Sequence, residues 1–278
     1  MEEMQMEKKT GIDVLKDAPY DFTPEAAFAL IEEQWKKWSE ETGLEKFVVG
    51  ISGGIDSTCV AALACRIFGT ESVCGVSLPC DGQKDMHDVD KVFERLGIRR
   101  VTIDIGDAFH SILDGVENNA IEVSSGTRTN LPARLRMSAL YAVAQSLPGF
   151  TVANTCNLSE DVCGWNTHGG DNFGSYAPVR WLTKTEVRAL AAWLGVPGEL
   201  VGKTPVDGLQ PKTDEEAFGF SYAALDDYIR TGNSKFEHAG KVEQMYLKNK
   251  FKLDIVDLPG PVMPYPNYVT GQNLKCFL

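Results

Sequence analysis

The stretch Ser52-Gly53-Gly54-Ile55-Asp56-Ser57 lies between an apolar run, 47–51, that predicts a buried strand and a segment, 58–68, that predicts a helix. A strand, a glycine turn and a helix start present free backbone N–H groups and the positive end of a helix dipole to an anion. The two glycines let the backbone approach phosphate oxygens, and the serine hydroxyls add donors. Asp56 would repel a phosphate unless a cation lies between them, and Mg²⁺ is the usual cation. The stretch therefore predicts a nucleotide phosphate site with a magnesium ion.

Other phosphate-binding loops do not match this stretch. A Walker A loop requires a lysine after its glycines, and the dinucleotide fingerprint requires G-x-G-x-x-G; neither pattern is present. The pattern resembles the S-G-G-x-D-S loop of the ATP pyrophosphatases, which cleave ATP between its α and β phosphates. A glycine turn with a Ser/Asp helix cap, without any ligand, is the alternative explanation.

The composition indicates a globular protein of 278 residues with a net charge of −12, from 27 basic and 39 acidic residues. This charge disfavours nonspecific binding to nucleic acid or to an acidic membrane. Seven cysteines without a C-x-x-C pair, and a polar start without a secretory signal, predict a cytoplasmic location. We expect a single domain over 1–278, with an N-terminal extension over 1–22 and a proline-rich tail over 258–278 that packs as an irregular strap.

Strand and helix patterns alternate along the chain. Strands are predicted at 47–51, 73–78, 101–105 and 150–153, and helices at 58–68, 85–96, 132–146, 184–194, 214–229 and 235–249. An earlier helix begins at Thr23-Pro24 and carries Phe28, Ile31, Trp35 and Trp38 on one face, which favours a core role over ligand stacking. Segment 118–130 is predicted as a loop, and 164–176 as a loop that acts as a lid. The order predicts an α/β fold, a three-layer sandwich with a central parallel, doubly wound, Rossmann-like sheet.

Ligands of such sheets lie at the carboxyl ends of the strands, so the glycine loop and segment 154–160 should open onto one crevice. Glu160 could share Mg²⁺ with Asp56, although an acid at a helix start is equally ordinary. Thr155 and Asn157 could bind the nucleotide or cap a helix.

Two basic features could neutralise the phosphates. Arg134 and Arg136 are two residues apart and point to different faces of their helix, so one can reach into the crevice. Lys184 lies at a helix start, where a cation is locally unfavourable, which suggests that its charge is used elsewhere.

In combination, these segments resemble the ammonia-dependent NAD synthetases over roughly 20–255. The matching pieces are Ser52–Ser57, Asn130–Met137 with its A-R-x-R, Thr155–Glu160, Gly169-Gly170-Asp171, Leu182–Glu186, Thr213–Glu216 with Gly219 and Tyr222, and Ala224–Tyr228. The resemblance implies a ligase of the ATP pyrophosphatase fold. Such an enzyme amidates deamido-NAD⁺ with ammonia to NAD⁺, the last step of NAD biosynthesis, through an acyl adenylate, and releases AMP and pyrophosphate. It also implies a homodimer with the dinucleotide at the subunit interface.

The resemblance assigns roles residue by residue. It assigns catalysis to Asp56 and Lys184, and the binding of Mg²⁺ to Asp56 and Glu160. It assigns the binding of deamido-NAD⁺ to Arg134, His168, Asp171 and Lys252. ATP is assigned to Gly50, Ile51, Ser52, Gly53, Gly54, Ile55, Asp56, Ser57, Thr155 and Lys184. The chain departs from the usual family pattern at His168, Ser175, Val206 and Phe251, where lysine, aspartate, threonine and histidine are expected.

Two rival interpretations stay open at the level of sequence. One is another adenylating enzyme of the same fold, such as GMP synthetase or a tRNA-modifying enzyme. The other is a non-catalytic nucleotide-binding module like the electron-transfer flavoproteins, which would not need Asp56 and Glu160 together. The stretch before Ser52 is too short for a fused glutaminase domain, so we expect free ammonia to support synthesis and glutamine not to.

Overall fold

A parallel four-stranded sheet forms the centre of the computed structural model, which describes residues 22–82, 86–204, 213–233, 235–255 and 259–269. Its strands are β1 (Lys46–Gly50), β2 (Val73–Ser77), β3 (Arg99–Thr102) and β4 (Phe150–Val152), in the order β3-β2-β1-β4. Because the chain winds outward from β1 to β3 and then returns to β4 on the other side of β1, the order of winding reverses between β1 and β4. The doubly wound topology predicted from the sequence is confirmed.

Helices occupy the connections between the strands and the region that follows β4. In chain order they are α1 (Pro24–Thr42), α2 (Ile55–Phe68), α3 (Met86–Leu96), α4 (Gly106–Glu117), α5 (Ser125–Ser146), α6 (Leu158–Cys163), α7 (Lys184–Trp193), α8 (Gly198–Val201), α9 (Asp214–Phe218), α10 (Tyr222–Thr231), α11 (Ala239–Asn249) and α12 (Phe251–Ile255).

The sheet is covered on both faces, as the alternation of β1 side chains shows. Phe47 and Val49 point into a core shared with α1, α2 and α7, whereas Val48 points into a core shared with α5. In α1, Ile31 and Trp35 are fully buried, so this aromatic face belongs to the core. Helix, sheet and helix therefore form the three predicted layers.

Some boundaries differ from the sequence prediction. Helix α5 begins at Ser125 rather than at 132, because the Ser124 hydroxyl caps it and Pro132 is tolerated inside it; residues 125–130 are therefore not loop. The helix predicted over 214–229 is interrupted at Gly219, which has a φ of 79°, and Ser221 caps the second piece. β3 begins and ends earlier than predicted, and α4 was not predicted.

The proline-rich tail is an irregular strap over its described part, 259–269. Ala177 N donates to the carbonyl of Pro259 at 2.8 Å, and Met263 and Tyr265 are buried in the core.

No helix within the described ranges is both long and apolar enough to cross a membrane. The N-terminal extension up to residue 21 and Val206 lie outside the described residues.

Candidate active site

A cavity of about 690 Å³ opens at the carboxyl ends of β1 and β4. The glycine loop forms one wall, and Ala153 to Cys156, which includes Thr155, forms another. The prediction that both segments share one crevice is confirmed. The cavity lies where the winding of the sheet reverses, which is the usual ligand position in an open parallel sheet.

The glycine loop leaves the first turn of α2 open to this cavity. Gly53 has a φ of 78°, a conformation that glycine adopts without strain. Gly54 is the N-cap of α2 and supplies no side-chain hydrogen bond to it. The serine hydroxyls instead brace the loop, since Ser52 Oγ accepts from Gly54 N at 3.2 Å and Ser57 Oγ donates to Gly54 O at 3.1 Å. The positive end of the helix dipole is therefore available to an anion.

A buried amine joins the two carboxylates that the sequence singled out. Lys184 Nζ lies 2.6 Å from Asp56 Oδ2 and 2.8 Å from Glu160 Oε1. The Lys184 side chain is only 3% exposed, whereas those of Asp56 and Glu160 keep 17% and 15% exposure. The three groups lie on α2, α6 and α7, so the fold assembles them from distant segments.

Asp56, Glu160 and Lys184 form a triad, and the charges of its three members are coupled. Burial alone would lower the pKa of the Lys184 amine, but the carboxylates of Asp56 and Glu160 outweigh it and raise that pKa above its ordinary value, so the amine is charged. Burial raises the pKa of the Glu160 carboxyl to about 8, against the opposing attraction of Lys184. Above that pH, where both carboxylates are ionised, one amine balances only one of the two negative charges.

The donor set of the triad fits a divalent cation such as Mg²⁺. Oxygens of Asp56 and Glu160 both lie within 2.8 Å of the Lys184 amine, and with Glu160 ionised the three groups carry a net negative charge. Among the described residues no cluster of three or more His, Cys, Asp or Glu side chains could hold a metal alone. Mg²⁺ is commonly bound by one or two carboxylates together with substrate phosphates and waters.

Asn157 connects the Asp56 carboxylate to the start of the helix that carries Glu160. Its Nδ2 donates to Asp56 Oδ1 at 2.9 Å, and its Oδ1 accepts from the backbone N–H of Glu160 at 3.1 Å. The sequence left open whether Asn157 binds a ligand or caps a helix. In the structure it caps α6 and also contacts Asp56.

A second polar group lies beneath the triad and was not assigned a role from the sequence. Lys184 Nζ lies 5.1 Å from the centre of the Tyr222 ring. Asp214 accepts from the Tyr222 hydroxyl at 3.0 Å and from Trp165 Nε1 at 3.2 Å. Both Trp165 and Asp214 line the cavity. Asp214 and Tyr222 belong to a segment that resembles the family, and Trp165 belongs to the predicted lid loop, but no role was assigned to them.

The two arginines of α5 point in different directions, as their spacing predicted. Arg136 lines the cavity, and its Nε donates to the carbonyl of Leu78 at 3.1 Å. Arg134, the one selected for the dinucleotide, is exposed and lies outside the cavity lining; its Nε donates to the carbonyl of His168 at 3.1 Å.

The other residues expected at the dinucleotide surround the glycine-rich loop, 164–176. Asp171 lines the cavity and accepts from Thr167 N at 2.6 Å. Lys252 lies outside the cavity lining, and its Nζ donates to the carbonyls of Gly164 and Asn166 at 2.8 Å each.

Three positions that depart from the family pattern can be located. His168 packs edge-on against the exposed Phe251, with ring centres 6.1 Å apart, and neither lines the cavity. Ser175 accepts from Thr151 Oγ1 at 2.5 Å and so anchors the end of the loop to β4.

Comparisons with known proteins agree with this geometry. A family model described as NAD synthase matches residues 28–256. The NH₃-dependent NAD⁺ synthetase of Pyrococcus horikoshii is 40% identical over 198 residues, 71% of this chain and 76% of the relative. The solved structure of NMN synthetase from Francisella tularensis is similar with a TM-score of 0.78 at 30% identity, covering 86% of this chain and 99% of the other. NAD⁺ synthetase from Burkholderia pseudomallei gives 0.69 at 27%, covering 88% and 95%.

Proposed function

We propose, because this chain belongs to the NAD synthase family, that it amidates deamido-NAD⁺ with ammonia to NAD⁺ at the expense of ATP. It would act as a ligase that forms a C–N bond and releases AMP and pyrophosphate. The observation that carries the proposal is the contact of the Lys184 amine with Asp56 and Glu160 beside the open first turn of α2. This arrangement suits cleavage of ATP at its α-phosphorus.

The chemistry explains why charge dominates this site. A carboxylate is a poor acyl donor because its leaving group would be oxide. Attack of the carboxylate oxygen on the α-phosphorus forms an acyl adenylate and expels pyrophosphate, and ammonia then attacks the acyl carbon and expels AMP. The first step brings two anions together, so stabilisation of negative charge should be the largest contribution. Lys184 and the N–H groups of the glycine loop are placed to stabilise the departing pyrophosphate.

We propose that the metal is Mg²⁺ and that Asp56 and Glu160 bind it. When bound, the ion supplies positive charge to the phosphate oxygens. Asn157 orients the Asp56 carboxylate and caps the helix that carries Glu160, and Lys184 contacts both carboxylates in the free protein. ATP would be held by the loop from Gly50 to Ser57, with Thr155 and Lys184.

Water must be kept from the adenylate, which would otherwise hydrolyse. The loop 164–176 borders the cavity through Trp165, Asp171 and Phe173, and Lys252 and Arg134 hold its backbone. We assign it the role of a lid.

We also propose that the chain acts as a cytoplasmic homodimer with a shared dinucleotide site. Arg134 is exposed and does not line the cavity of its own chain, which suits a contact completed across an interface. The cysteines within the described ranges are free thiols, which fits a reducing compartment. A dimer mass in solution, at the concentration used for assays, is the expected observation.

One assay tests the main proposal against its rivals. The purified chain is incubated with ATP and Mg²⁺, and AMP is measured with and without deamido-NAD⁺ and ammonium. AMP is expected only when both are present, together with an equal amount of NAD⁺. Turnover with xanthosine monophosphate or tRNA would favour another adenylating enzyme of this fold, and nucleotide binding without AMP would favour a flavoprotein-like binding module.

A second candidate substrate is the mononucleotide, nicotinic acid mononucleotide. Two observations favour it. The structure is similar to that of an NMN synthetase, with a TM-score of 0.78. In addition, Arg134, His168 and Lys252 do not line the cavity of this chain. The ratio of kcat/KM for deamido-NAD⁺ to that for nicotinic acid mononucleotide decides between them. We expect the ratio to exceed one; a ratio well below one would assign the mononucleotide.

The nitrogen source gives a further prediction. Ammonium chloride is expected to support NAD⁺ formation by the purified chain, and glutamine is not, because curated relatives such as that of Pyrococcus horikoshii are NH₃-dependent NAD⁺ synthetases. The measurement is NAD⁺ formed with each source at equal nitrogen concentration. Efficient use of ammonia-free glutamine by the chain alone would contradict it.

Arg136 supplies another prediction. It lines the cavity, its pKa is lowered by burial, and no carboxylate pairs with it among the described residues. Arg136→Met is therefore expected to raise KM for ATP or for the dinucleotide roughly tenfold or more, by loss of a charged hydrogen bond. Arg100→Met, which removes an exposed pair with Asp90, is the matched control. Unchanged KM values for both substrates in the folded Arg136 variant would contradict the prediction.

A further inference from the structure

Asp226 lies on α10, behind the triad, and is 4% exposed. Its Oδ1 accepts from the hydroxyl of Ser159 at 2.5 Å. Its Oδ2 accepts from the backbone N–H of Thr185 at 2.7 Å and from the Thr185 hydroxyl at 2.6 Å. Three donors thus converge on one buried carboxylate that does not line the cavity.

Both partners of Asp226 are chain neighbours of the triad. Ser159 precedes Glu160 on α6, and Thr185 follows Lys184 on α7. The hydroxyl of Ser159 also accepts from the backbone N–H of Lys184 at 2.9 Å. One carboxylate therefore connects the segment that carries the catalytic amine to the segment that carries the second carboxylate.

The first turn of α7 is closed by protein groups, unlike the open first turn of α2. Its leading N–H groups each have a side-chain acceptor, in the pairs Lys184 to Ser159, Thr185 to Asp226 and Glu186 to Thr183. Such a turn has no place for a ligand anion. The negative charge of Asp226 near this helix start also offsets the unfavourable position of the Lys184 cation.

Helix α10 contacts α7 a second time through Arg230. Its guanidinium donates to both carboxylate oxygens of Glu186, at 2.7 and 2.6 Å, and to the carbonyls of Trp181 and Pro266 at 2.8 Å. These contacts join α10, α7 and the tail strap. Asp226 bonds to residues adjacent to Glu160 on α6 and to Lys184 on α7.

We infer that Asp226 is a positioning residue for the reaction, one that sets the distance between the Lys184 amine and the Glu160 carboxylate without touching substrate. This inference rests on the proposed function. Because the position of Lys184 matters most when charge develops on the leaving pyrophosphate, loss of Asp226 should lower kcat more than it raises KM.

The experiment compares four variants with the parent chain, assayed for NAD⁺ formation well below every melting temperature. Asp226→Asn keeps the shape and one acceptor oxygen, and Asp226→Ala removes the contact. Asp227→Asn, the exposed neighbour on the same helix, is the matched control for charge. Val92→Ala, a fully buried residue on α3, is the control for stability loss alone.

We expect Asp226→Asn to lower kcat roughly tenfold, with KM for ATP and deamido-NAD⁺ within about twofold of the parent, as for other groups that orient a catalytic ligand. Asp226→Ala should lose more, and both controls should keep the parent kcat. The inference is overturned if folded Asp226→Asn keeps kcat within twofold, or if its loss resides in KM. A parent chain that forms no NAD⁺ would overturn the proposed function as well, whereas an active parent with an unaffected Asp226→Asn overturns only the positioning role.

Discussion

Asp56→Asn is expected to lower kcat by roughly 10²-fold or more while the protein remains folded, the size of effect found when one electrostatic stabiliser is lost from an active site. The substitution keeps the shape of the side chain and an oxygen that can accept from Asn157, but it removes the negative charge that faces Lys184. A neutral amide is also a weaker ligand for a hard divalent cation. Both losses act at the position where pyrophosphate is expected to leave.

The measurement is a steady-state rate at saturating ATP, with Mg²⁺ varied over a wide range. The half-saturating Mg²⁺ concentration is expected to rise along with the fall in kcat. The matched control is Asp90→Asn, which removes an exposed carboxylate of α3 that pairs with Arg100. This variant should behave like the parent. A folded Asp56→Asn protein with a near-parent rate at low Mg²⁺ would refute the metal role of Asp56.

The sequence predicted the features that local rules determine. The strand, glycine turn and helix around Ser52–Ser57 were predicted correctly because the apolar runs and the glycine positions indicate the same local structure. The Thr183 capping box likewise predicted the start of α7. Boundaries were wrong where two local signals compete. Pro132 suggested a helix start, yet the cap at Ser124 lies upstream, and a proline can remain within a helix when its surroundings stabilise it.

The long-range contacts that form the site could not be predicted from local sequence patterns. Lys184 and Asp56 are 128 residues apart, and Asn157 and Asp56 are 101 apart. The unfavourable location of Lys184 at a helix start did hint that it has a distant partner, but no periodicity identifies which carboxylate that is.

Asp226 and Asp227 show the same limit within one helix. They are identical and adjacent, yet one is buried behind the active site and the other is exposed. The buried face of α10 includes Leu225 and Ile229, and Asp226 lies next to that stripe, so helical periodicity could have indicated its burial. Its partners on α6 and α7 could not have been named without the fold.

Lys184→Met is expected to have the larger effect of the two triad substitutions, a fall in kcat of about 10²- to 10³-fold. Methionine fills a similar volume but leaves Asp56 and Glu160 without the cation that lies 2.6 and 2.8 Å from them. Removing one partner of a buried ion pair is also strongly destabilising, so the melting temperature should fall. Because the two carboxylates would then lack any neutralising group, added Mg²⁺ should raise the melting temperature of the variant more than that of the parent.

The melting temperature with and without Mg²⁺ separates an electrostatic role of Lys184 from a packing role. Lys36→Met, which removes an exposed pair with Glu32 on α1, is the control and should respond to Mg²⁺ as the parent does. If Lys184 only fills space, methionine would replace it with little change in rate, and Mg²⁺ would stabilise variant and parent equally. Such a result would contradict the assignment of Lys184, Asp56 and Glu160 to one electrostatically coupled centre, since that centre requires divalent cation affinity to increase when the amine is removed.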